Sequence, residues 1–356
     1  MIFDSSIHLP RGCPPGTLHM SKENAAAQKA PKRTLNENFK KDGLLRVLSL
    51  DGGGAKGFYT LGVLKEIEGV VKCPLYQSFD IIFGTSTGSI IAALLALGYE
   101  ADEILALYRT HLPAVMKAKK PNIKTAALKE LAKQVYGDKT FSEVLTGVGI
   151  VGTKWALETP IIFKGSVEQA HGRKGTFVPG FGARIGDAVV ASCSAYPFFE
   201  KQTMMLSTGE HVIVVDGGYC ANNPSLYALI DAVAALKKPH SDIRLVSVGV
   251  GNYPQPKPGW KLWFAQRYLL TMELLQKTME INSQSMDTLL RMLFKDIPLV
   301  RISDSFTQPE MATDFMEYDL FKLDMLYQRG RESFSPKEAE IRNFLVPSQG
   351  VASGNS

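Results

Sequence analysis

Between an apolar run and a helix of small apolar residues stands Gly84-Thr85-Ser86-Thr87-Gly88, a G-x-S-x-G spacing that constrains this chain more than any other feature. In a nucleophile elbow of this pattern, a serine is forced onto a strained turn from strand to helix. Glycines two positions either side are needed because the doubled-back chain leaves no room for a Cβ. Phe79-Asp80-Ile81-Ile82-Phe83 is β-rich and runs straight into the turn. Ile90 to Leu97 is apolar on all sides, which predicts a buried helix, and Gly98 closes it at the usual C′ position. No charge occurs from Ile81 to Tyr99, about the length of a membrane span. The polar Gly-Thr-Ser-Thr-Gly-Ser stretch within it argues against one.

Asp216-Gly217-Gly218 closes a second apolar run and sets a carboxylate at a strand end, where Ser86 would find a base. Together the two strings read as a serine acyl hydrolase. Most such serines use a histidine held by an acid. The six histidines are His8, His19, His111, His171, His211 and His240. Only His240 follows Asp216 in the order serine, acid, histidine, and it precedes the run Ile243 to Val248. Sites in open parallel sheets gather at the carboxyl ends of strands, so His240 stands at the wrong edge. His211 has the same defect, because it opens the strand that delivers Asp216. What remains is a Ser86–Asp216 dyad without histidine.

A carboxylate of ordinary pKa, about 3.9, is a weak base toward an alcohol. It must touch the serine directly, and the tetrahedral oxyanion must be well stabilised. Arg46 to Leu50 reads as a strand, followed by Asp51-Gly52-Gly53-Gly54-Ala55-Lys56-Gly57 and a helix through Ile67. Glycines at a helix start expose several N–H groups in one direction, aided by the helix dipole. Gly52, Gly53 and Gly54 are thus the candidate oxyanion hole, with Thr87 adding its N–H as the residue after the nucleophile. Gly52 to Gly57 also fits the dinucleotide fingerprint G-x-G-x-x-G, the mark of an oxidoreductase. Against that reading, the acidic residue expected to end the next strand is absent, since Asp80 begins one, and Asp51 would face a pyrophosphate. A Walker A loop fails because Gly57 and Phe58 follow Lys56.

These motifs, with Ala221-Asn222-Asn223-Pro224 and the segment Ser192-Cys193-Ser194-Ala195-Tyr196-Pro197-Phe198-Phe199, closely resemble the patatin-like phospholipases, in family order from about Leu45 to Gly251. The resemblance implies a three-layer α/β/α fold with a mainly parallel central sheet. It also implies a Ser86–Asp216 dyad, with Gly52, Gly53 and Gly54 as oxyanion hole. Gly84, Gly88, Gly217 and Gly218 support the motifs, and no metal or cofactor is required. Lys56 stands where many members carry arginine or lysine. A narrower resemblance, to bacterial effectors of anti-phage systems, implies membrane phospholipid as substrate and a cyclic dinucleotide as activator. No motif identifies a nucleotide pocket. A lipid-binding or nucleotide-sensing scaffold is the non-catalytic alternative, disfavoured because serine, acid and glycines are all present.

The 356 residues suit one large α/β domain with tails, and 45% apolar content suits a sizeable core. A net charge of +5 is far from the footprint of a DNA- or RNA-binding protein. Cys13, Cys73, Cys193 and Cys220 show no metal spacing and read as reduced thiols of a cytoplasmic protein, and the resemblance to membrane-degrading effectors implies action at the inner face of the membrane. Residues 1–44 read as a flexible leader without an apolar signal segment, 45–255 as the catalytic core, 256–346 as a helical extension packed on it, and 347–356 as a disordered tail. His19-Met20 resembles a cloning junction, so residues 1–20 are set aside. Lys117 to Lys139 carries seven lysines, with Leu128, Leu131 and Val135 at helical spacing. Such a helix docks on anionic lipid or packs its apolar side on the core, and the second reading is preferred. Trp260 to Phe294, rich in Met and aromatics, suits a lid, a homo-oligomer interface, an effector site or plain core packing.

Overall fold

In the computed structural model, which describes residues 42–254 and 266–346, the run Leu45-Arg46-Val47-Leu48-Ser49-Leu50 is wholly buried. Leu48 and Leu50 enter one hydrophobic core and Leu45 and Val47 another, as the two-residue repeat of a strand dictates. Ile82 and Ile81, then Val246 and Leu245, divide the same way. A sheet covered on both faces is the α/β/α arrangement expected from the sequence. Nearly all of the expected leader, the expected tail and Trp260 lie outside the described residues.

The strands are β1 (Leu45–Leu50), β2 (Ile81–Thr85), β3 (Gly147–Lys154), β4 (Thr159–Lys164), β5 (Gln202–Met205), β6 (His211–Asp216), β7 (Ile243–Val248) and β8 (Leu299–Ile302). Their order across the sheet is β5-β6-β3-β2-β1-β7-β8, with β4 paired to β3. The pairs β1–β2, β1–β7, β2–β3 and β7–β8 are parallel. The rhythm of strand, helix and strand predicts that β6 is parallel as well. It instead runs antiparallel to both β3 and β5, because the chain reaches it through the β5–β6 hairpin.

This reversal explains how the site is assembled. β2 ends at Thr85 opposite Val151, whereas β3 continues to Lys154. β6 pairs only with that overhang, Gly152 with Asp216 through Lys154 with Val214. The last residue of an antiparallel strand therefore arrives level with the carboxyl end of β2. His211 then lies on the same side of the sheet, not at the opposite edge as a parallel strand would put it. Five extended residues still carry it roughly 16 Å from Asp216.

The chain from Ile297 onward, read from sequence as peripheral helices and loops, contributes β8 to the sheet edge before the helices Leu320–Phe334 and Glu338–Leu345. The described part of the expected extension, 266–346, thus contributes to the fold's sheet as well as to its helical layer. In the lysine-rich helix Pro121–Tyr136, Leu128 is buried and Leu131 and Val135 pack on the core, so its apolar side is occupied by protein. No helix among the described residues is long and apolar enough to cross a membrane.

Candidate active site

Ser86 follows β2 and precedes the buried helix Thr87–Ala96, at φ 53° and ψ −123°. For a residue with a side chain this left-handed conformation is strained, and it persists only where the surroundings impose it. A Cβ on Gly84 would collide with Gly88 O, and one on Gly88 with Leu50 O, so the elbow closes only with glycine at both positions. Ser86 N donates to Ser192 Oγ at 2.9 Å, and Ser192 Oγ donates to Val151 O at 2.6 Å, pinning the elbow to the neighbouring strand. Ser89 Oγ donates to Ser86 O at 2.7 Å. In the sequence Ser192 stands out only as the first residue of the small-residue segment Ser192 to Phe199, and nothing local marks it as the elbow's partner.

Ser86 Oγ donates to Asp216 Oδ2 at 2.7 Å, and Gly218 N donates to Asp216 Oδ1 at 2.7 Å, while Gly217 begins the turn between them. Asp216 is 1% exposed and Ser86 9%. Burial pushes the Asp216 carboxyl up to about 7, against the two hydrogen bonds that favour its charged form. The weak-base difficulty seen in the sequence is therefore much reduced, since a base of pKa near 7 suits general-base work at neutral pH. Among the described residues no histidine lines the cavity around Ser86. His240 is instead bonded to Asp296 at 2.7 Å.

The glycine loop faces the serine: a Cβ on Gly52 would lie 3.2 Å from Ser86 Cβ and would strike Asn222 Oδ1. Of the four expected oxyanion donors, Gly52 is corrected, because its N–H donates to Asn222 O at 2.9 Å. Among the described residues no acceptor meets the N–H groups of Gly53, Gly54 and Thr87, which leaves three donors free. Asp51 is paired within the fold. Arg301 Nη1 and Nη2 donate to its two oxygens at 2.8 and 2.5 Å, which removes the awkward charge without making the loop a dinucleotide cradle. Asp80 Oδ2 accepts from Arg46 N at 2.7 Å, a role in the strand and not on a ribose.

Ile90, Leu112, Val115, Met116, Leu128 and Leu131 form the apolar wall of the cavity at Ser86. The helix Gln266–Leu293 covers its polar side, bringing Gln276, Glu280 and Ser283 to the lining. Glu280 Oε1 accepts from the buried Lys56 Nζ at 3.2 Å, and Asn222 Nδ2 donates to Ser283 Oγ at 2.8 Å. Open space in the cavity is only about 80 Å³, below the roughly 300 Å³ at which ligand pockets begin.

A serine hydrogen-bonded to a buried carboxylate, set against an apolar cavity under a covering helix, is an arrangement that suits acyl hydrolysis of lipids. The model of the patatin-like phospholipases matches residues 48–229, and the chain belongs to that family. A cUMP-AMP-activated phospholipase of Escherichia coli is 61% identical over 317 residues, covering 89% of this chain and 98% of that protein. A cGAMP-activated phospholipase of Escherichia coli (strain TW11681) is 29% identical over 228 residues, 58% of this chain and 62% of the relative. Patatin-like protein 3 of Arabidopsis thaliana is 26% identical over 236 residues, 55% of this chain and 53% of its own.

Proposed function

We propose that this chain is a phospholipase switched on by a cyclic dinucleotide, cleaving fatty-acyl esters of membrane phospholipid in anti-phage defence, with Ser86 as nucleophile and Asp216 as base. The observation that carries the chemistry is the 2.7 Å bond from Ser86 Oγ to Asp216 Oδ2. The activator is supported by the relatives, a cUMP-AMP-activated and a cGAMP-activated phospholipase, above all the first, which matches over 98% of its length. The reaction would run at the inner face of the membrane, where the lipid is.

Asp216 takes the Ser86 proton as Oγ attacks the acyl carbonyl. The oxyanion that forms is held by the N–H groups of Gly53, Gly54 and Thr87. The tetrahedral species collapses to an acyl-serine, and the departing lysophospholipid alkoxide takes the proton from Asp216. Water, deprotonated by the same carboxylate, then attacks the acyl-serine and releases the fatty acid, and Ser86 regains its proton.

Fatty-acid release from phospholipid vesicles, with and without cUMP-AMP, tests this reading directly. Release is expected from the natural chain only with nucleotide present, and from Ser86→Ala under neither condition. Equal release by Ser86→Ala would remove the serine from the mechanism, and release indifferent to nucleotide would remove the activator.

The pH profile provides an independent check. Asp216 accepts a proton only when ionised, and its carboxyl stands at about 7. kcat/KM on a soluble short-chain ester is therefore expected to fall about tenfold per pH unit below 7 and to level off above it. A profile flat down to pH 5 would contradict Asp216 as the base.

A further inference from the structure

On the other side of the helix Pro121–Tyr136 from the Ser86 cavity lies a second, larger hollow of about 510 Å³, within the range of small-molecule sites. Its walls are Lys129 and Lys133 on that helix, Arg184 and Gly186 at the start of the helix Ile185–Ser192, and Gln202 and Thr203 on the edge strand β5. No ion pair within the described residues engages Lys129 or Lys133. Arg184 pairs with Asp138 and Asp187. Both of those carboxylates are exposed and hold it weakly, so its guanidinium is open to a stronger anion. Asp187 also lines the hollow and is the acidic group a ligand there would meet.

The hollow shares both of its helices with the catalytic machinery. Leu128 and Leu131 wall the Ser86 cavity, while Lys129 and Lys133 of the same helix face the hollow. The helix that Arg184 opens ends at Ser192, whose Oγ accepts the Ser86 N–H. A ligand wedged between these helices would bear at once on the cramped acyl cavity and on the elbow.

We propose that this hollow binds the activating cyclic dinucleotide, with Lys129, Lys133 and Arg184 on its two phosphodiesters and the bases along the β5 edge at Thr203. This rests on the reading of the chain as nucleotide-activated. Two anionic groups a few ångströms apart on a rigid ring match three cations around one hollow, and Gly186, buried against Ala132 and Tyr136, marks where the two helices meet beneath it. Occupancy spreads the helix Pro121–Tyr136 from the helix Ile185–Ser192, and the widened Ser86 cavity then admits an acyl chain.

The test is calorimetric titration of the full chain with cUMP-AMP, and separately with cGAMP, alongside the nucleotide dependence of fatty-acid release. The double reversal Lys129→Glu with Lys133→Glu is compared with Lys117→Glu and Lys119→Glu, an equal charge change on exposed residues outside the hollow. Thr203→Trp fills the hollow without altering charge, from an exposed position on the edge strand. Groove reversal and Thr203→Trp are each expected to weaken binding and raise the half-activating concentration by roughly 30-fold or more, with melting temperatures in the absence of nucleotide close to the natural chain. The outer reversal is expected to bind within threefold of it. Binding within about threefold by both groove variants would overturn the site while leaving nucleotide activation standing. A natural chain that neither binds nor responds to either nucleotide would overturn both the activation and the site.

Discussion

Asp216→Asn is expected to lower turnover by about 10⁴-fold, the upper range for loss of a general base, while making the protein more stable in alkaline solution. The amide keeps the shape and one carbonyl oxygen to receive the 2.7 Å bond from Gly218 N, so the fold survives. It has no lone pair basic enough to take the Ser86 proton. The stability effect follows from burial. Asp216 has an ordinary value of 3.8 and is pushed up to about 7 in the fold, so the folded state holds the proton more tightly than the unfolded chain. Folding therefore has no ionisation penalty below pH 3.8. The penalty grows as pH rises and is complete above 7, where it is on the order of a few kcal/mol. The asparagine variant escapes it. Thermal unfolding should show no advantage for the variant near pH 4 and a gain of several degrees at pH 8. A variant that melts below the natural chain at pH 8, or that retains a tenth of its turnover, would remove Asp216 from this role.

What could be read in the sequence was whatever local geometry fixes. An elbow needs glycines at set offsets from its serine, so Gly84, Ser86 and Gly88 were legible as a unit, and the glycines after β1 announced a loop with donors. A strand's direction and a donor's partner depend on distant chain. That is why β6 reads as parallel until the overhang of β3 is seen, and why exclusion of His211 rests on distance along β6 and not on strand polarity. It is also why Gly52 counts as a donor in the sequence but not in the fold, where Asn222 O, 170 positions away, takes its N–H. Asp216 was legible at the end of its apolar run, yet its basicity was not, because that comes from burial contributed by several elements. Glu280 and Arg301 carried no signal next to their partners. Leu299-Val300-Arg301-Ile302 after Pro298 did carry the β-branched pattern of a strand, and that alone could have brought Arg301 into view.

Arg301→Leu is expected to destabilise the protein by about 3–5 kcal/mol, the range for breaking a buried ion pair from one side. Arg301 reaches from β8 across β7, donating to Ser247 Oγ at 2.8 Å on the way, and grips both carboxylate oxygens of Asp51. Asp51 is 3% exposed in its side chain, and burial pushes its carboxyl up against the opposing pull of the guanidinium. Without Arg301 that carboxyl rises further, so the loss of stability is smallest in acid, where Asp51 is protonated in both states, and grows as pH rises. Asp51 also leads directly into Gly52, Gly53 and Gly54. Loosening it should misplace the oxyanion donors and lower kcat more than it raises KM, the signature of an interaction made in the transition state. Arg301→Lys restores charge but not the fork, and should recover only part of either property. Arg301→Leu combined with Asp51→Asn leaves no buried charge and should regain much of the stability, a non-additive result that a double-mutant cycle in urea would measure. Stability losses that simply add, or a single variant as stable as the natural chain at pH 8, would mean that the pair does not hold the glycine loop in place.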